Sequence, residues 1–418
     1  MSVFPPQAHF HLMAKPSSFH CNIQCEYCFY LEKSEQFGQH APFMSKDTLK
    51  HYVKNYIQSH AGNVVEFAWQ GGEPTLLGLD FYKQAVEYQQ EFAQGKQITN
   101  AFQTNGIALN QQWAAFFKQH HFLIGLSIDG LSAVHNRYRI SGNGNPTFEK
   151  VVKALNLLQE YGVEFNTLTV INDQNWQKGR ETYLALKQLG STYMQFIPIV
   201  ERHAQTQSVT DFSVPSEGYG QFLVDVFHEW YAHDVGKIYV SQFDNLLGQW
   251  LGYPSTTCVH QPTCGQSLVA EANGDVYACD HFVYPEYKVG NLTQQPLTEI
   301  VLSSRQQQFG LEKSQKLTAL CREREGITTG QILEYFRDTE FSKPLEILAS
   351  WDHLLDDLEI INAFSQNYRR LNIQAIERDI EMLIAKERAE GLTDQERAIL
   401  VNLLKGKEEQ KKQLVNPS

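Results

Sequence analysis

Cys21, Cys25 and Cys28 fall within the eight residues CNIQCEYC and account for three of the seven cysteines in this 418-residue chain. Thiolates separated by three and then two residues can converge on one metal centre. Four protein ligands would close a structural zinc site, whereas three leave a position open for chemistry. A 4Fe-4S cluster has four irons that each want an outer ligand, so three cysteines would leave one iron free to take a substrate or cofactor. The competing assignment from spacing alone is a zinc knuckle completed by a histidine, and His20 stands beside Cys21. A second group, Cys258, Cys264 and Cys279, comes much later, and Cys321 stands alone.

The surrounding composition is that of a folded protein. Hydrophobic residues make up 42% and charged residues 20%, far from the polar signature of disorder. The length exceeds one compact core, so a large domain with at least one attached unit is expected. A formal charge of −12 argues against broad binding to nucleic acid or anionic membranes, although a local basic patch stays open. The opening MSVFPPQAHF lacks a cationic segment followed by an apolar run, and no later segment has the length of apolar residues that a membrane helix needs. The expected location is the cytoplasm, with no membrane or direct nucleic-acid contact. There an odd number of cysteines points to metal binding or catalysis rather than to disulfides.

The elements that must position these residues repeat. VVEFAW (64–69), ITNAFQT (98–104), FLIGLSI (122–128), VEFNTLTV (163–170) and YMQFIPIV (193–200) read as buried parallel strands. Between them LDFYKQAVEYQQEF, NQQWAAFFKQH, TFEKVVKALNLLQEYG and KGRETYLALKQLG carry apolar residues at helical spacing. The pattern predicts an α/β fold, a partial (β/α) barrel over residues 1–235, with chemistry at the C-terminal ends of the strands. GGEP, NG and DG follow three of those strands. Residues 236–316 read as a smaller region in which SLVAEA and DVYAC form a hairpin through Asn273 and Gly274. Residues 317–418 read as helical, with Gly391 stopping one helix and Thr393 with Glu396 forming the capping box of the next.

CNIQCEYC has the CX3CX2C spacing of radical S-adenosylmethionine enzymes, and the aromatic Tyr27 precedes the last cysteine as it does in that superfamily. The resemblance implies that the cofactor's amino and carboxylate groups occupy the open iron. WQGGEPTLLG resembles the family's motif for the methionyl amine. There Gly71 and Gly72 would bring backbone carbonyls to the ligand and Glu73 would add charge complementarity, with Gln70 on the same surface. In LSIDG, Ser127 could bond the ribose or methionine part and Asp129 brace the loop. Arg139 is a candidate partner for the cofactor carboxylate, since guanidinium pairs with it bidentately; without the resemblance it reads as a surface arginine.

CNIQCEYCFYLEK, FAWQGGEPTLLG, FQTNG, LSIDG, QFIPIVER, HQPTCGQSLVAEANGDVYACDHFVYP and KVGNL together resemble the anaerobic sulfatase-maturating enzymes, over about residues 8–316. The resemblance implies oxidation of a Cys or Ser of a sulfatase to formylglycine, with a donor such as flavodoxin or ferredoxin supplying electrons. A 5′-deoxyadenosyl radical would take hydrogen from the target β-carbon, a base would take the side-chain proton, and an electron would leave. Asp280 in YACDHF matches the family's base; from sequence alone it reads as an ordinary loop aspartate. A different peptide substrate is the alternative within the same chemistry.

The resemblance then breaks. It implies that Cys258, Cys264 and Cys279 are three ligands of one auxiliary 4Fe-4S cluster and that Cys321 is the first ligand of a second. Arg324 stands where the next cysteine is expected, and none follows. The first auxiliary cluster would have to use His281, water or another group, or fail to assemble, and impaired turnover is the expectation. The tail LTALCREREGITTGQILEYFRDTEFSKPLEILASWDHL with MLIAKERAEGLTDQERAILVNLLKGKEEQ resembles the helicase-binding domain of bacterial replicative primases from about Leu317 onward. That implies the replicative helicase as a partner, and an alternative in which the front half is passive.

Overall fold

The computed structural model describes residues 8–38, 41–201, 208–215, 217–261 and 263–322, with isolated positions after 322; in the last helix, side chains are described as far as Lys313. Twelve strands occur among these residues: β1 (His11–Lys15), β2 (Ile23–Cys25), β3 (Val64–Trp69), β4 (Gln97–Thr104), β5 (Phe122–Ser127), β6 (Arg139–Ser141), β7 (Phe165–Ile171), β8 (Tyr193–Pro198), β9 (Tyr239–Val240), β10 (Ser267–Glu271), β11 (Asp275–Tyr277) and β12 (Lys288–Asn291). Ten form one sheet in the order β12-β11-β10-β1-β3-β4-β5-β7-β8-β9, and β2 with β6 forms a separate pair. From β1 through β9 every neighbouring pair is parallel, as a repeated βα chain requires.

Side-chain caps start two of the crossover helices, the first of them without a counterpart among the predicted elements. The side chain of Ser45 accepts from Thr48 N to open helix Lys46–Ser59, and Asn110 accepts from Gln112 N and Trp113 N to open Gln111–Gln119. The helices Leu79–Phe92 and Gln111–Gln119 meet the sheet in an aromatic layer: Tyr82 lies against Phe102 at 4.9 Å between ring centroids, and Phe102 against Phe117 at 5.1 Å. These rings are buried and form part of one continuous core.

Five expected strands and four expected helices appear within a few residues of their predicted bounds. The hairpin also forms, with Gly274 at φ +83°, a conformation open to glycine. The sheet, however, runs across the boundary expected at residue 236. Strand β10 pairs in parallel with all of β1, from His11↔Ser267 to Lys15↔Glu271, so the hairpin extends the barrel sheet. Short strands β2, β6, β9 and β12 have no periodic signal to read, because two to four residues hold at most two inward positions.

Of the helical tail, Gly391, Glu396 and Arg324 lie outside the described residues. At the expected cap, Arg397 N bonds the carbonyl of Thr393 at 2.9 Å. Among the described residues no helix is long and apolar enough to cross a membrane.

Candidate active site

The strand ends bring the motifs together. After β1 the chain turns back on itself, with Ser18 N bonded to Lys15 O at 3.0 Å, and runs against the GGEP loop after β3. Gly72 N donates to Ser18 O at 2.6 Å and Glu73 N to His20 O at 2.8 Å. A Cβ at Gly72 would sit 2.1 Å from His20 O, and Gly71 holds φ +134°, so both glycines serve this contact between loops. Glu73 turns inward from the loop. Fully buried, it accepts from Thr75 N at 3.0 Å, Thr75 Oγ1 at 2.6 Å, Thr104 Oγ1 at 2.8 Å and Asn105 N at 2.8 Å. Burial pushes its carboxyl above the ordinary range, against the pull of those four bonds. It locks the end of β3 to the end of β4, and Asn105 passes the contact on by donating to Asn22 Oδ1 at 2.7 Å and lying 3.6 Å from Cys21 Sγ.

Cys25 sits in β2 directly opposite Arg139 in β6. Arg139 is buried rather than on the surface, and its Nε donates to Asp129 Oδ2 at 2.9 Å. Asp129, also buried, accepts from Val170 N at 3.1 Å and from Tyr27 Oη at 3.3 Å, while His135 Nδ1 lies 3.7 Å away. Burial alone would raise the Asp129 carboxyl, but the charges of Arg139 and His135 hold it below the ordinary range. Arg139, given by the resemblance to the cofactor carboxylate, is thus already paired on one side with Asp129. Ser127 lies at the end of β5, nearly buried.

The three thiols are electrostatic neighbours. Burial pushes Cys21 up to about 11 and Cys25 to about 12, and raises Cys28, with mutual repulsion among the three adding to the rise. Thiolates so placed require a cationic centre, so the donor set fits an iron-sulfur cluster. The described residues hold no three His, Cys, Asp or Glu side chains already gathered as a metal site. His20, the candidate zinc ligand, has Nε2 2.7 Å from Ala41 O, which turns that nitrogen to the backbone.

Cys258, Cys264 and Cys279 also come together. Burial lifts Cys279 to about 11, with the nearby thiols of Cys258 and Cys264 adding to it. Helix Ser304–Arg322 clamps them: Cys264 N bonds Gly310 O at 3.0 Å, and Lys313 Nζ bonds Val259 O and Gln261 O at 2.6 Å each. Gln306 reaches Gly265 O at 2.9 Å and Ala278 O at 3.3 Å. His281, a proposed stand-in ligand, stacks on Phe29 with ring centroids 5.4 Å apart. The side chain of Cys321 lies outside the described residues.

Asp280 is no isolated loop residue. Its Oδ1 lies 2.5 Å from the ammonium of Lys15, a buried lysine at the end of β1 that the sequence reading passed over. Lys15 also donates to Gln70 Oε1 at 2.9 Å, and Gln70 to Gln103 Oε1 at 2.6 Å. Tyr30 bonds the carboxylate of Glu271 beside it. The missed signal is one charged residue closing the apolar strand FHLMAK.

Comparison with known proteins gives the families that the chain resembles. A radical SAM superfamily model matches residues 16–186, an iron-sulfur cluster-binding (SPASM) domain model matches 258–323, and a DNA primase DnaG DnaB-binding model matches 293–403. The chain is 41% identical over 328 residues to the serine-type anaerobic sulfatase-maturating enzyme of Bacteroides thetaiotaomicron, covering 75% of this chain and 79% of that one. The solved structure of native anSMEcpe with bound AdoMet and Cp18Cys peptide superimposes with TM-score 0.68 at 31% identity, covering 74% of this chain and 84% of that one. The DNA primase of Haemophilus influenzae is 80% identical over 108 residues, which are 26% of this chain and 18% of the primase.

Proposed function

This chain belongs to the anaerobic sulfatase-maturating enzymes of the radical SAM superfamily, and from that premise we propose that it oxidises a cysteine or serine of a sulfatase polypeptide to formylglycine. It is a radical SAM oxidoreductase whose cofactors are a 4Fe-4S cluster and S-adenosylmethionine, with auxiliary clusters implied by its SPASM domain. The observation that carries the reading is the meeting of two parts at one sheet end, the three-thiol loop and the Lys15–Asp280 pair.

Cys21, Cys25 and Cys28 would hold the cluster, and Tyr27, Gln70, Gly71, Gly72, Glu73, Ser127 and Arg139 would shape the cofactor site around it. When bound, the reduced cluster and S-adenosylmethionine supply a carbon radical that takes a hydrogen atom from the target β-carbon. Asp280, partly exposed and beside the hairpin, takes the thiol or hydroxyl proton as base. One further electron goes to an acceptor, for which Cys258, Cys264 and Cys279 would hold the auxiliary cluster. Serine then gives the aldehyde directly. Cysteine gives a thioaldehyde, whose hydrolysis yields the aldehyde and hydrogen sulfide. No cysteine follows Cys321 in the sequence, so the auxiliary set lacks a fourth thiol there and turnover is slowed at electron removal. Flavodoxin or ferredoxin suits the reductive step.

The test is a panel of sulfatase-derived peptides carrying Cys or Ser, incubated anaerobically with the reduced chain and S-adenosylmethionine. An aldehyde-bearing product supports the reading. An unmodified sulfatase panel alongside conversion of an unrelated peptide would replace it with another radical peptide modification.

A second reading concerns the tail. The primase match favours binding of the replicative helicase, though the chain spans under a fifth of that primase, so docking alone is proposed. Retention of purified helicase by the full chain at micromolar concentration is the expected result, and its absence would remove the reading.

A further inference from the structure

We propose that Lys15 is a positioning residue of the reaction, fixing the Asp280 carboxylate and the Gln70 side chain at the mouth of the site so that the base faces the target residue. The proposal rests on Asp280 acting as the base.

Lys15 closes β1, the strand shared by the barrel and the hairpin extension, and its side chain is 1% exposed. A buried ammonium is costly unless its charge is met. Here separate elements meet it. Asp280 Oδ1, in the turn after β11, makes an ion pair at 2.5 Å, and Gln70 Oε1, at the end of β3, accepts a hydrogen bond at 2.9 Å. The ring of Tyr30, two residues past Cys28, lies with its centroid 4.0 Å from Nζ. Glu271 stands across from Lys15 in the β1–β10 register and adds an attractive charge.

The arrangement does more than neutralise a lysine, because the Glu271 carboxylate already stands near for that. Asp280 Oδ1 is buried against the ammonium and has no hydrogen-bond partner among the described residues. Its side chain nevertheless keeps 22% exposure, which lies on its other atoms. One oxygen is therefore anchored and the rest of the group faces outward. The same ammonium lies between this carboxylate and the ring of Tyr30, two residues past Cys28, so it links the base to the segment that carries the first cysteine set. Misplacement of a reacting group by about 1 Å can cost roughly a hundredfold in rate.

The test uses the full chain, reconstituted and reduced, with sulfatase-motif peptides, and compares Lys15→Met, Lys15→Arg, Asp280→Asn and the double variant. The expected result for Lys15→Met is a rise of about a hundredfold in nucleoside released per aldehyde formed, with kcat falling and KM nearly unchanged. Lys15→Arg, which keeps the charge, recovers most of the coupling. The double variant is no slower in aldehyde formation than Asp280→Asn, since Lys15 acts through Asp280. If Asp280→Asn forms aldehyde at the normal rate, the base assignment fails and this proposal with it. If Asp280→Asn is crippled while Lys15→Met keeps normal coupling, the Lys15 proposal alone is overturned. Lys15→Gln, neutral and polar, carries the same test where Lys15→Met does not fold.

Discussion

The loop of Cys21, Cys25 and Cys28 and the set of Cys258, Cys264 and Cys279 each offer three thiols, but the chain holds them in different ways. Cys25 is built into β2, opposite Arg139, whose own charge is backed by the buried Asp129. The approach to Cys21 is laid over the GGEP loop, where an added Cβ at Gly72 would meet backbone at 2.1 Å. In the second set Cys258 sits on a single short turn, and the clamp is the helix Ser304–Arg322 that leads into the tail. Cys21 and Cys258 are both exposed, but only the first set has a buried member, Cys25, while Cys264 and Cys279 are half-buried on separate segments. On the proposed reading, three ligands in the first set leave one useful open position and three in the second leave a site short of a ligand. Ligand count acquires meaning from the scaffold around it.

The sharpest way to break this comparison is to remove one thiol from each set. Cys25→Ala should lose about four irons and cut 5′-deoxyadenosine formation by about a thousandfold or more, roughly 4 kcal/mol of activation free energy. Iron analysis and chromatography of the nucleoside check it. Next comes the base between the sets: Asp280→Asn should lower aldehyde formation by about a hundredfold or more while nucleoside still appears, read by peptide mass.

An effect on stability rather than on rate tests the charge behind the first set. Asp129→Asn breaks a buried pair with Arg139 and should cost about 3–5 kcal/mol in thermal or denaturant unfolding. The carboxyl is held below its ordinary range, so its contribution is complete above about pH 4 and is lost as pH falls through the lower folded value. Acid titration should therefore show the native chain losing stability in that window and Asp129→Asn losing less. The smallest effect belongs to the clamp of the second set. Lys313→Met removes bonds to Val259 O and Gln261 O and should cost about 1 kcal/mol, with nucleoside formation unchanged.

Much of the scaffold was legible because its strands and helices are long enough to show a period. VVEFAW and LDFYKQAVEYQQEF fall on Val64–Trp69 and Leu79–Phe92. The first cysteine set was legible from spacing, which local sequence records directly. The motif around Glu73 says nothing of rotamer, so its burial is not legible there; its four partners come from Thr75, Thr104 and Asn105, two of them about thirty residues away. Lys15 was invisible for the same reason. Gln70 meets it through the parallel pairing of β1 with β3 and Asp280 through β10 and the antiparallel β11, and long-range register is not written in any local pattern. Arg139 read as a surface loop residue because strand β6 has three residues and no alternation to detect.

The measurement that bears most directly on the account is 5′-deoxyadenosine release by the reduced, reconstituted chain in which Cys258, Cys264 and Cys279 are all replaced by alanine, followed together with the mass of a sulfatase-motif peptide. If the two sets have separate tasks, the first loop still cleaves S-adenosylmethionine and the aldehyde fails to form. Loss of nucleoside release, in a folded chain that retains about four irons at the first loop, would show that the two sets work as one and would contradict the account.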